Sequence, residues 1–94
     1  MSETDLIYTS LEDHTNYKYI TDIEIASTLL CKGYKMADIV IESKRKSSFV
    51  FEQHPSLEDV IKGFWGNRIE VPPLEFANHR KNLKSQIFSS QNNN

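Results

Sequence analysis

The chain has 94 residues, of which 38% are hydrophobic and 26% charged, with a mean hydropathy of −0.52, the profile of one domain with a modest core. No apolar run approaches the roughly 20 residues of a membrane span, and no basic-then-apolar leader opens the sequence, so a cytoplasmic protein is expected. The single cysteine, Cys31, excludes an internal disulfide, and a net charge of −2 leaves any anion binding to local clusters.

Residues 1–18 show neither helical nor alternating periodicity, are rich in Ser, Thr, Asp and Glu, and are expected to form a flexible arm. Order is expected from Tyr19. Thr21 and Glu24 stand in the T-x-x-E spacing of a capping box, with Ile20 and Ile25 placed as a hydrophobic staple. Ile23, Ile25, Ala26, Leu29 and Leu30 then mark the apolar stripe of a helix over about 22–32, with Glu24, Ser27 and Thr28 outside it. Gly33 supplies the stop.

Two short alternating runs follow, 36–42 and 48–53, joined by the basic turn Lys44-Arg45-Lys46. Pairing Ile41 with Phe49 and Ile39 with Phe51 puts Ala37, Ile39, Ile41, Phe49 and Phe51 on one face of an antiparallel hairpin. The other face, with Asp38, Val40, Glu42, Ser48, Val50 and Glu52, reads as solvated. A lone hairpin is unstable, so helices must cover the apolar face.

Ser56 with Glu58 and Asp59 marks a second helix start. Leu57, Val60, Ile61, Phe64 and Trp65 follow helical spacing up to Gly66-Asn67, and Gly63 within the run either permits a close approach or is simply a flexible position. Pro72-Pro73 opens a third helix with Phe76, Leu83 and Ile87 on one side and Ala77 and Phe88 at its margin. The expected architecture is α+β: a helix, a two-stranded antiparallel hairpin, then two helices packed on one face of the hairpin. Residues 19–88 form the domain and 89–94 a disordered tail.

Tyr19-Ile20-Thr21-Asp22, Leu30-x-x-Gly33, Phe49-Val50-Phe51, Phe64-Trp65 and Leu83-Lys84 together resemble a family of small uncharacterised domains in bacterial, archaeal and phage proteins. The resemblance covers about 19–88. It implies the same element order and a setting in phage or mobile-element biology, and it assigns no catalytic residue.

Catalytic and metal chemistry find little support in the sequence. Cys31, His14, His54 and His79 lack any C-x-x-C or H-x-x-x-H spacing, so neither a metal nor a cofactor is expected. Cys31 with His79 is the one nucleophile–base pairing to consider, and a thiol at a helix C-terminus is disfavoured as a thiolate. No enzyme activity is expected. Cations offer more. Lys44, Arg45 and Lys46 sit at the hairpin tip, where they either reach a nucleic-acid backbone or form a solubilising turn that guards a sheet edge. The third helix carries Arg80, Lys81 and Lys84, joined by His79, Asn78, Asn82 and Gln86, and no acid follows Phe76. Such clusters suit phosphate and base-edge contacts. Arg80 falls within the apolar stripe, where it either lays its stem over the core or marks a seam for an anionic partner. The expected function is a small non-catalytic nucleic-acid-binding domain with Lys44, Arg45, Lys46, Arg80, Lys81 and Lys84 as contacts. The alternative is an adaptor or inhibitor that binds a protein through the hairpin edge, Trp65 and Phe88, although these two aromatics at the stripe margins fit a core role equally well. Spacing does not say whether the two basic clusters share a face.

Overall fold

The computed structural model describes residues 16–92. Its elements run β1 (Tyr17–Ile20), α1 (Ile23–Cys31), β2 (Met36–Ser43), β3 (Lys46–Glu52), α2 (Leu57–Trp65) and α3 (Pro73–Asn92). The fold is α+β, but the sheet is not the expected two-stranded hairpin. Its order is β1-β3-β2 and all pairing is antiparallel. Of the expected arm 1–18, residues 1–15 lie outside the described residues, whereas Tyr17 and Lys18 open β1, paired with Glu52 and Phe51. A four-residue strand carries too short an alternation to stand out in the sequence, and it gains its hydrogen bonds from β3.

The hairpin register also differs. Ile39 faces Phe49, Met36 faces Phe51 and Ile41 faces Ser47. Ala37 and Glu42 are extra residues on β2, each marking a bulge between adjacent pairs. The first bulge leaves Ala37 exposed and brings Met36 against the core in its place. Only Lys44 and Arg45 form the turn, and Lys46 is already the first residue of β3.

α1 begins one residue later than the expected cap. The Asp22 carboxylate accepts the Glu24 and Ile25 amides at 2.8 and 3.2 Å. A charged acceptor outcompetes the Thr21 hydroxyl for these amides, and Thr21 is left exposed. Gly33, at φ +90°, closes the helix as expected. Ser27 and Thr28 are buried rather than outside the stripe, because α1 lies between other elements. Their hydroxyls donate to the Ile23 and Glu24 carbonyls at 2.8 Å, which removes the cost of burying them.

The core joins Ile20, Ile25, Ala26 and Leu29 to Phe49 and Phe51 of β3, Leu57 of α2 and Leu83 of α3. Burial of each large side chain contributes on the order of 2 kcal/mol. Within α2, Gly63 is buried because a Cβ there would stand 2.7 Å from Ile69 Cδ1, so the close approach is real. Asn67, at φ 57°, turns the chain out of this helix, and Trp65 points to solvent. The second sheet face is less open than expected. Val50 is fully buried and Ser48 nearly so, because central β3 places Val50 between Tyr19 on β1 and Asp38 on β2. α3 continues through Asn92, so residues 89–92 of the expected disordered tail are helical, and 93–94 lie outside the described residues.

Candidate functional site

Two distant stretches of chain meet at the hairpin tip. The β2–β3 turn brings Lys44 and Arg45 against the flank of α3, enclosing an open groove of about 910 Å3. Arg80, Lys81 and Lys84 line it from the helix side. Helix geometry explains the set. Leu83 and Ile87 face the core, and residues one position or one turn away form the adjacent flank. The buried ring of Phe49 and the half-buried Phe76 and Ile87 supply an apolar floor, and Phe88, 65% exposed, stands at the margin.

Five of the six sequence-selected cations therefore share one face. Lys46 does not line the groove. Side chains alternate along a strand, so Lys46 projects with Ser48 and Val50 while Ser47 and Phe49 project toward the groove. Its Nζ instead pairs with Glu42 Oε2 at 3.2 Å. Asn78, Asn82 and Gln86 are exposed, yet none of them lines the groove.

No carboxylate occurs among the described residues lining this groove. The nearest acid to enter the arrangement is Glu24, whose carboxylate accepts a hydrogen bond from Arg80 Nε. Arg80 therefore lines the groove while its Nε is engaged by Glu24 of α1. Arg45, Lys81 and Lys84 form no ion pair among the described residues. Like charges held together without acids concentrate positive potential in a concave, low-dielectric surface.

The other expected site residues separate. Trp65, 68% exposed, lies outside the groove and stacks edge-on with Phe64 at 5.2 Å between ring centroids. Cys31 is half-buried; its thiol pKa is raised by burial first and by Glu75 second, against a smaller lowering from Lys32. His79 faces Glu75 at 3.9 Å. A thiol biased toward its protonated form is poorly suited to nucleophilic work. His14 lies outside the described residues. Among the described residues no three His, Cys, Asp or Glu side chains gather as a metal site.

One polar chain escaped sequence reading. Tyr34 Oη lies 2.5 Å from Ser56 Oγ, which lies 2.9 Å from His54 Nδ1. The same Nδ1 accepts the Ser56 amide at 3.1 Å, so the ring nitrogen takes the place of a capping side chain at the start of α2. The Tyr34 and His54 rings meet edge-on at 5.6 Å. These residues fasten the α1–β2 connection to α2. The His-Pro-Ser run was the local signal, but its partner Tyr34 lies across the sheet connection and has no fixed spacing from it.

The fold and groove define a small α+β domain with a cationic, aromatic-bearing surface. The chain belongs to the domain of unknown function DUF5659, whose family model matches residues 15–89. The matched stretch includes β1, consistent with its place in the sheet. No curated protein and no solved structure matches the chain. Among the described residues, no helix is long and apolar enough to cross a membrane.

Proposed function

We propose that this domain binds nucleic acid without catalysing a reaction on it, using the groove between the hairpin tip and α3. The observation that carries this reading is the convergence of Lys44 and Arg45 with Arg80, Lys81 and Lys84 around one surface lined by no carboxylate among the described residues. Neutralising phosphates with such side chains releases counterions and makes affinity fall steeply with salt. The sequence resemblance to phage proteins is the reason to place the role in the nucleic-acid metabolism of phages or mobile elements, in the cytoplasm.

The test is a titration of the protein into labelled DNA and RNA at about 50 and 200 mM salt, where phosphate contacts show their slope. Wild-type binding is expected to weaken by roughly tenfold or more across that range. The triple variant R45A/K81A/K84A is expected to bind more weakly and with a shallower slope, whereas K46A, on the opposite sheet face, retains both. Salt-independent binding, or an unaffected triple variant, overturns the reading.

A protein partner is the second reading, favoured by one observation: Trp65 is exposed although large aromatics are common interface anchors. Strand addition at the hairpin draws less support, because β1 occupies one side of β3 and the outer strand β2 carries two bulges. Trp65→Ala would abolish such a complex and leave salt-sensitive nucleic-acid binding intact.

A further inference from the structure

The groove is built for more than phosphate. Its volume of about 910 Å3 lies toward the upper end of pockets that enclose drug-sized molecules, commonly about 300–1,000 Å3. Cations approach from both walls, the hairpin turn on one side and α3 on the other. Between them lies the apolar floor formed by Phe49, Phe76 and Ile87, with the accessible ring of Phe88 beside it. A duplex turns its charged backbone outward and keeps the faces of its bases stacked inside. Seated here, it would press hydrated phosphates against apolar carbon and leave the Phe88 face unused.

We infer that the ligand is a single strand of nucleic acid, with a base stacked on Phe88 and phosphates held by Arg45, Lys81 and Lys84. This rests on the nucleic-acid reading above and specifies the form of the ligand. Stacking on an aromatic ring accepts any base, since each has a π face. The amide side chains Asn78, Asn82 and Gln86 do not line the groove, and its arginines and lysines are assigned to phosphates, which carry no sequence. Recognition is therefore tolerant of sequence. An extended acidic peptide fits less well. It would bring a row of backbone N–H donors, and the uncharged polar side chains lining the groove are three hydroxyls, Thr21, Ser47 and Ser85. A phosphodiester backbone brings no such row.

The experiment compares 12-nucleotide single strands of mixed, oligo-dT and oligo-dA sequence, their RNA equivalents and a 12-base-pair duplex, at one low salt concentration. The proteins are wild type, F88A and F88L, together with W65F/F88W as a fluorescent reporter. Single strands are expected to bind at least tenfold tighter than the duplex, with little difference among sequences. F88A is expected to lose about five- to 150-fold in single-strand affinity, the range of stacking losses per base, with F88L only partly restoring it. The reporter indole is expected to be quenched by single strands and not by duplex. Phe88 is exposed, so these substitutions leave the core intact. Equal or tighter duplex binding, retained in F88A, overturns the single-strand inference and leaves the nucleic-acid reading standing. Absence of binding to every nucleic acid overturns both.

Discussion

Arg80 Nε donates to the Glu24 carboxylate across the seam between α1 and α3. The pair is half-exposed on both sides, so its contribution to stability is modest, about 0.2–1 kcal/mol. Its effect on the groove is larger in kind, because Glu24 offsets one of the five cations. Glu24→Ala is expected to lower stability by up to about 1 kcal/mol in urea unfolding while tightening nucleic-acid binding. Arg80→Ala is expected to lower both. Parallel changes in the two properties for Glu24→Ala would show that the carboxylate serves the ligand rather than opposing it.

Gly63 tests how closely α2 approaches the chain that follows it. Alanine gains helix propensity worth about 1 kcal/mol over glycine, but its Cβ would meet Ile69 Cδ1 at 2.7 Å. The expectation for Gly63→Ala is a net change near zero or a loss of about 1 kcal/mol, since overpacking offsets the propensity gain. In an Ile69→Ala background the same substitution should stabilise by about 1 kcal/mol. Additive effects in the double-mutant cycle would remove the steric explanation.

The Tyr34–Ser56–His54 chain makes a second coupled set. Tyr34→Phe and Ser56→Ala are each expected to cost about 0.5–1.5 kcal/mol, the usual net value of a hydrogen bond. The double variant should cost less than their sum, because both remove the same contact. Chemical denaturation of the four proteins measures the coupling. Full additivity would mean that the Tyr34–Ser56 bond contributes nothing to stability.

Cys31 should react slowly. Burial and the Glu75 charge raise its thiol pKa, so at a given pH below that value it holds less thiolate than an ordinary cysteine. Alkylation by iodoacetamide is expected to rise with pH along a curve displaced upward from that of the unfolded chain. Glu75→Gln should move the curve partway back down. The sign for folding follows from the same shift: the unfolded thiol loses its proton first, so this group removes stability as pH rises through the unfolded pKa. A folded-state curve at or below the unfolded one would contradict this account.

Most helices were legible because their signals are local. The Gly33 stop needs only its neighbours, as do the periodicity of Leu57, Val60 and Ile61 and the proline entry at Pro73. The sheet was read less well. β1 earns its strand state from pairing with β3, a partner far along the chain, and the four residues Tyr17–Ile20 are too short a run to announce it. The register slipped by two because alternation cannot reveal an extra residue at Ala37 or Glu42. The same limit applied to the site. Composition identified the cations, but the shared face of Lys44 and Arg45 with Lys81 and Lys84 depends on packing of α3 against α1 and the hairpin. Lys46 was misplaced by the length of the turn: a two-residue turn makes it a strand residue, and alternation then sends it to the opposite face.

The pairing of β1 with β3 orders events in time. β2 and β3 are neighbours in sequence and can zip through a short turn on the microsecond scale. Ile20 can reach Phe49 only after the intervening chain, with the whole of α1 and β2, has been gathered into a closed loop. β1 is therefore expected to be the last strand to dock and the first to leave. Its four residues are then expected to open at a lower free energy than the domain as a whole. Amide exchange would register this as faster solvent access at the β1 amides than at β3 amides bonded to β2, and each such opening would bare one side of Val50 to water.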